Sequence, residues 1–169
     1  MLLLKILVGF SLVFTPFALL ESEEKASWLN ANGKNYAWPL DTEIHILKQF
    51  QLFEYPWMGG HTGIDVRAII GSNVRSPANG RVWFAGSVAG RKVLTLEIEN
   101  FLLSFDSVSS TVSTGEVIHE GQIVATVLEK HCGPNCLHIG LRVSGNYLNP
   151  LLLFRQIPYS VIHSRSLDF

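Results

Sequence analysis

The chain has 169 residues, of which 47% are hydrophobic and 16% charged, and its formal net charge is −1. This length indicates one domain of ordinary size with enough apolar residues for a packed core. The weakly acidic balance excludes a protein that binds nucleic acid through bulk positive charge.

Residues 1–20 form an apolar segment with a single lysine near its start, and a glutamate-rich stretch ends it. The pattern predicts a secretory signal peptide, because its apolar run is shorter than the roughly 20 residues of a membrane span. A cut after Ala18 would place Pro16 at the −3 position, so an uncleaved membrane anchor stays open. Either alternative predicts an extracytoplasmic protein, secreted or held at the cell envelope. Residues 21–35 are polar and aperiodic, and we interpret them as a linker.

From Tyr36 onward, short apolar or alternating runs are separated by glycine-containing turns. Runs of this length and spacing predict an all-β fold, a small antiparallel sandwich or barrel. The alternation is nearly strict in residues 93–99, and a short helix is expected near 150–154. The runs are 63–67, 79–85, 92–99, 102–108, 122–128 and 137–143.

Two segments, 74–82 and 117–125, each place a glycine turn between an apolar residue and a strand. Paired hairpins of this kind occur in barrel-sandwich hybrids, including the lipoyl carriers. A carrier domain needs a modifiable lysine at a hairpin tip, and none is well placed. The pattern therefore favours a barrel-sandwich hybrid without a carrier function.

The first segment whose residues could carry a chemical function is GHTGID at 60–65. His61 and Asp65 lie four residues apart, so in an extended segment their side chains point to the same face. Imidazole nitrogens and carboxylate oxygens are both zinc ligands. Gly63 between them would let the backbone bend toward a metal. Alone, this spacing is also typical of a surface histidine beside a solvated aspartate.

The second segment is CLHIGLR at 136–142. A strand period of two places Cys136, His138 and Gly140 on one face and three apolar residues on the other. The apolar face would pack into the core, and His138 would face a groove. A lone strand histidine is, however, more often a structural residue.

The two cysteines, Cys132 and Cys136, flank the short sequence Gly-Pro-Asn. In an exported protein, an even number of closely spaced cysteines favours a disulfide. The small loop makes the bond geometrically feasible without requiring it.

Six motifs together resemble the lysostaphin/LytM-type zinc metallopeptidases in their order and spacing. The resemblance covers residues 36–154 and implies a small LytM-like β domain with a groove across its sheet. It also implies zinc in the groove and peptidoglycan peptides as the substrate. The motifs are WPL at 38–40, GHTGIDV at 60–66, SPANGRVWFAG at 76–86, EGQIVATV at 120–127, CLHIGLR at 136–142 and NYLNPLLLF at 146–154.

Position by position, the resemblance implies that His61, Asp65 and His138 are zinc ligands. Three protein ligands with a position left for water are the arrangement of a catalytic zinc. Such a metal activates the water and polarises the scissile carbonyl.

Two positions depart from the family pattern, which has a catalytic histidine at each. Cys136 replaces the first histidine of H-x-H, and Ser107 stands where the strand histidine is expected. Asp106 is the alternative match for that strand position, and Asp106 or His131 could substitute for the missing groups. Cys136 itself has three interpretations: a disulfide with Cys132, a fourth zinc ligand, or a residue without a chemical role.

The sequence therefore predicts an exported zinc metallopeptidase acting on peptidoglycan. The alternative is a catalytically degenerate domain that binds peptidoglycan or activates another cell-wall hydrolase. Residues 155–169 form a C-terminal tail without an interpretable motif.

Overall fold

The structure, a computed structural model, describes residues 34–52, 59–128, 132 and 134–154. The predicted signal or anchor segment, nearly all of the predicted linker, the C-terminal tail and His131 lie outside these ranges. Among the described residues, no helix has the length and apolar character that crossing a membrane requires.

The described chain consists of short strands that pair antiparallel, followed by a 3-10 helix, and this confirms the predicted all-β class. The strands are β1 (Ile46–Lys48), β2 (Gln51–Leu52), β3 (Gly60–His61), β4 (Gly63–Arg67), β5 (Asn73–Arg75), β6 (Gly80–Val88), β7 (Arg91–Ile98), β8 (Phe101–Asp106), β9 (Val108–Ser110), β10 (Val117–Ile118), β11 (Ile123–Val127), β12 (Cys136–Val143) and β13 (Asn146–Leu148), and the 3-10 helix is Pro150–Leu153.

The largest sheet has the order β1-β4-β12-β8-β7-β6-β10, and β13 also pairs with β12. A second sheet has the order β5-β11-β9, and β2 pairs with β3. Side chains from the two larger sheets, such as Leu96 and Val124, belong to one hydrophobic core. The large sheet therefore has one face in this core and leaves the other available for polar groups.

Strand β7 shows how the sequence specifies that arrangement. Leu94, Leu96 and Ile98 are completely buried, whereas Thr95 and Glu97 between them are only partly buried. Because successive strand side chains point to opposite faces, this alternation fixes which face of β7 packs into the core.

The run predicted at 102–108 is divided into β8 and β9. Ser107 lies between the two strands with a φ of 66°, in the left-handed region that a non-glycine residue seldom adopts. This turn of the backbone ends the pairing of β8 with β7 and lets β9 join the three-stranded sheet.

Candidate metal centre

The centre is built on β4, β12 and β8, which lie side by side in the large sheet. Asp65, His138 and Asp106 are direct register partners across these strands. The neighbouring residues Ile64 and Ile139 are fully buried on the core side. Strand alternation therefore directs the side chains of Asp65, His138 and Asp106 to the face away from the core.

His61, Asp65 and His138 bring their ligand atoms together on this face. The Asp65 Oδ1 atom is 3.0 Å from His61 Nε2 and 2.7 Å from His138 Nδ1. The two imidazole nitrogens are 3.2 Å apart. All three side chains are largely buried. The structure thus unites the three residues that the family resemblance implied as ligands.

This donor set fits a zinc ion. Ligands about 2.0–2.2 Å from a tetrahedral zinc are separated from one another by roughly 3.3–3.6 Å. The three observed separations are slightly shorter, so small rotations of the rings and the carboxylate would admit the ion. Two imidazoles and one carboxylate are also the ligand types that zinc selects.

The orientation of His61 supports the same role. Its Nδ1 atom lies 2.7 Å from the backbone carbonyl oxygen of Gln49. A carbonyl only accepts hydrogen bonds, so His61 Nδ1 donates and its Nε2 directs a lone pair toward Asp65 in the neutral ring. A backbone partner of this kind is common for metal-binding histidines because it fixes the tautomer and the ring. No sequence pattern predicts the Gln49 contact.

Two opposing effects act on the Asp65 carboxyl group. Burial by itself would raise its pKa. The hydrogen bond from His138 and the charges of His61 and His138 outweigh this effect and hold the pKa below the ordinary 3.8. The ionised carboxylate is therefore the stable form beside the two rings, which is the form that binds a metal.

Gly63 is required for a reason other than the predicted bend. It lies inside the regular strand β4, and a Cβ atom there would be 2.2 Å from the Ile139 carbonyl oxygen and 2.7 Å from the His138 ring. Any side chain would displace β12 or the imidazole. Gly63 thus provides the space in which His138 reaches its partners.

Asp106 and Ser107 have different positions. Asp106 is on the same face as His138, is buried, and forms an ion pair with Arg91 at 3.0 Å. Ser107 is buried at the strand break, with its hydroxyl 3.4 Å from Asp106 Oδ1. Of the two candidate positions, Asp106 therefore faces the centre. The ion pair between Arg91 and Asp106 was not predicted, because no sequence pattern pairs these two residues.

Cys132 and Cys136 form a disulfide. Cys136 begins β12 on the same face as His138 and is 2% exposed. The two sulfur atoms and the Asp65 carboxylate all lie within 4.8 Å of one another. The disulfide is thus next to the group formed by His61, Asp65 and His138, and Asp65 lies close to both.

Residues 59–150 match the family model described as Peptidase family M23, which is more than half of the chain. The chain belongs to Peptidase family M23. The matched region contains β3, β4, β8 and β12, the strands that carry the centre. Membership confirms the resemblance to the lysostaphin/LytM-type peptidases.

Individual relatives are more distant. An uncharacterized protein of Mycobacterium tuberculosis is 30% identical over 137 residues, which cover 76% of this chain and 55% of the relative. The murein hydrolase activator NlpD of Salmonella typhimurium is 25% identical over 134 residues, covering 77% of this chain and 34% of NlpD. The chain thus spans about half the length of the first of these relatives and about a third of the second.

Solved structures show the same fold. The peptidase lysostaphin from Staphylococcus simulans matches with a TM-score of 0.56 at 17% sequence identity, over 75% of this chain and 55% of lysostaphin. At this identity, the likeness shows a shared fold.

Proposed function

We propose that this chain is an exported, zinc-dependent peptidase of the cell envelope that hydrolyses peptide bonds of peptidoglycan. The observation that carries the proposal is the convergence of His61, Asp65 and His138, whose ligand atoms lie within 3.2 Å of one another. Membership of family M23 supports peptidase chemistry. The murein-related name of one relative supports the substrate class. Residues 36–154 form the peptidase domain in this proposal, and residues 1–20 direct export.

Each residue of the centre has a distinct task. His61, Asp65 and His138 hold the zinc, which when bound supplies a water of lowered pKa and polarises the scissile carbonyl. Gln49 fixes the ring of His61 through its backbone carbonyl. Gly63 leaves room for the ring of His138. The carboxylate and rings are held by strands rather than by loops, which keeps their spacing constant.

Asp106 is the residue proposed to move the proton. Its carboxylate is on the same face of the sheet and in direct register with His138. A carboxylate beside the attacking water can accept its proton and pass it to the leaving amine. Arg91 orients this carboxylate through the 3.0 Å ion pair. Asp106 thereby substitutes for the histidines that Cys136 and Ser107 replace.

The test is the clearing of a suspension of purified peptidoglycan by the purified chain, with and without a chelator. We expect clearing that the chelator abolishes and that added zinc restores. The His138→Ala variant should be inactive, and His119→Ala should match the parent because His119 is exposed and follows β10, which three strands separate from β12 in the sheet. A zinc-loaded, folded chain that releases no peptide fragments would refute the peptidase proposal.

One observation favours a second candidate, a non-catalytic activator of another cell-wall hydrolase. The disulfide of Cys136 occupies the strand position where the family has the first histidine of H-x-H. In addition, one relative is named as a murein hydrolase activator. This candidate predicts no clearing by the chain alone, but faster clearing when the chain is added to a purified wall hydrolase of low basal activity.

A further inference from the structure

The Cys132–Cys136 bond lies close enough to the metal centre to affect it. Both sulfur atoms are within 4.8 Å of the Asp65 carboxylate, and Asp65 is also within 3.0 Å of His61 Nε2 and 2.7 Å of His138 Nδ1. Two groups of candidate ligands therefore overlap at one carboxylate. The first group is formed by His61, Asp65 and His138, and the second by Asp65 and the two cysteines.

The oxidation state decides whether the second group can bind a metal. A disulfide sulfur carries no charge and is a poor zinc ligand, whereas a thiolate is among the strongest, with a Zn–S distance of about 2.3 Å. Reduction by a dithiol breaks the single S–S bond. The reductant supplies two electrons and two protons and becomes a disulfide, leaving two protein thiols. Metal binding then releases the thiol protons.

The positions of the two cysteines suit such a change. Cys136 is on the same strand face as His138, two residues away, and its sulfur lies within 4.8 Å of the Asp65 carboxylate. Cys132 is partly exposed, and an attacking thiol needs access to one of the two cysteines. The structure thus combines a partly exposed cysteine with one that is buried beside Asp65.

We propose that the Cys132–Cys136 bond is a redox gate on the metal centre. In the oxidised chain, His61, Asp65 and His138 bind the metal and leave a position for water. In the reduced chain, the thiolate of Cys136 binds the same metal and fills that position. Reduction therefore converts an open site into a closed thiolate site. The inference rests on the proposed zinc site, and it goes beyond it by assigning the cysteines a regulated role.

Cobalt(II) in place of zinc gives a direct readout, because thiolate ligation produces an intense near-ultraviolet charge-transfer band that nitrogen and oxygen ligands do not. The oxidised full-length chain should bind cobalt without this band. A phosphine reductant, which breaks the disulfide without adding a competing thiol, should make the band appear. The Cys132→Ser variant has a permanent Cys136 thiol and should show the band without reductant. The Cys136→Ser variant should lack the band after reduction, because the thiol that fills the open position is gone.

The outcomes separate the gate from the proposed function. Cobalt bound to the reduced chain without any charge-transfer band would overturn the gate and leave the three-ligand site intact. A band in the Cys132→Ser/Cys136→Ser double variant would also overturn it, since no thiol remains. Failure of the oxidised chain to bind cobalt would instead refute the three-ligand site. Near-ultraviolet circular dichroism of each sample establishes that the fold persists after reduction.

Discussion

The two histidines of the centre are held in place by different means. His61 is fixed by a hydrogen bond to the backbone carbonyl of Gln49 at 2.7 Å. His138 is fixed by Asp65 and by the space that Gly63 leaves beside its ring. The space beside the His138 ring exists because Gly63 has no side chain. Adding a single methyl group at Gly63 therefore tests whether the ring needs this space.

Replacing Gly63 with alanine should weaken zinc binding and lower stability. The new Cβ would meet both the Ile139 carbonyl and the His138 ring, and overpacking of this kind costs about 1–3 kcal/mol. Gly80→Ala is the matched control, because its Cβ would be 2.3 Å from the Glu97 carbonyl with no imidazole nearby. Both variants should lower the free energy of unfolding in urea, but only Gly63→Ala should lose zinc affinity. Equal zinc affinities would show that the ring does not need this space.

Asp106→Asn should lower peptidoglycan hydrolysis by roughly 10²–10⁴-fold while zinc stays bound, because an amide cannot accept the proton. The comparison is Glu97→Gln, which removes a partly buried carboxylate from β7 on the same face of the large sheet, four residues from the register partner of Asp106. That control should retain activity. Measuring initial clearing rates at equal zinc content distinguishes the two. Full activity in Asp106→Asn would remove Asp106 from the mechanism.

The pH dependence of stability should carry the signature of Asp65 in the metal-free chain. Because the folded-state pKa is below the ordinary 3.8, its contribution to stability is complete above that value and is lost as the pH falls through the folded pKa. Asp65→Asn should therefore flatten the acid side of the stability curve. Urea unfolding between about pH 6 and pH 2 measures this. Glu120→Gln, which changes an exposed carboxylate away from the centre, is the matched control.

At the scale of elements, β12 is the strand on which the centre depends. It lies between β4 and β8, and its alternating residues either enter the core or lie on the face of the candidate metal centre. A shift of one residue in its pairing would bury His138 and expose Ile139. Burial of the apolar face of β12 thus fixes the position of the opposite face, which carries His138.

Ile139→Ala tests that dependence. Ile139 is fully buried and pairs with Ile64 and Phe105, so its truncation should cost about 2–5 kcal/mol. Trp83→Ala, which alters a side chain that is 54% exposed, should change stability by no more than about 0.5 kcal/mol. Denaturant unfolding of both variants provides the comparison. A negligible effect at Ile139 would mean that its contacts do not hold β12 in register.

The sequence predicted these elements well where hydrophobic alternation was strong. The run at 63–67 is β4 with the same bounds, and the run at 137–143 is β12 extended by Cys136. The prediction of one continuous strand at 102–108 was wrong, because hydrophobic alternation does not reveal the left-handed turn at Ser107. That turn is also why Asp106, rather than Ser107, lies beside His138.

At the scale of the whole molecule, contacts between distant strands were the least predictable. The spacing of residues 61 and 65 was compatible with a ligand pair, but only the family resemblance implied that His61, Asp65 and His138 act together. The ion pair between Arg91 and Asp106 depends on the register of β7 and β8, which no local pattern specifies. The closeness of the disulfide to Asp65 likewise follows from the pairing of β4 with β12.

The same pairing brings the candidate ligands close to the disulfide of the proposed gate. Strand β4 carries Asp65, and β12 carries both His138 and Cys136. Because neighbouring strands are only about 5 Å apart, the candidate ligands and the disulfide lie side by side on one face of the sheet. In the proposed gate, Asp65 is the residue that links the sulfur atoms to the metal centre.

The zinc content of the purified, folded chain tests the central claim most directly. After dialysis against metal-free buffer, atomic emission should find close to one zinc ion per chain. His138→Ala should lose nearly all of it, whereas His119→Ala should keep it. A folded parent chain without zinc affinity, or a His138→Ala variant that retains the ion, would contradict the assignment of His61, Asp65 and His138 as a metal centre.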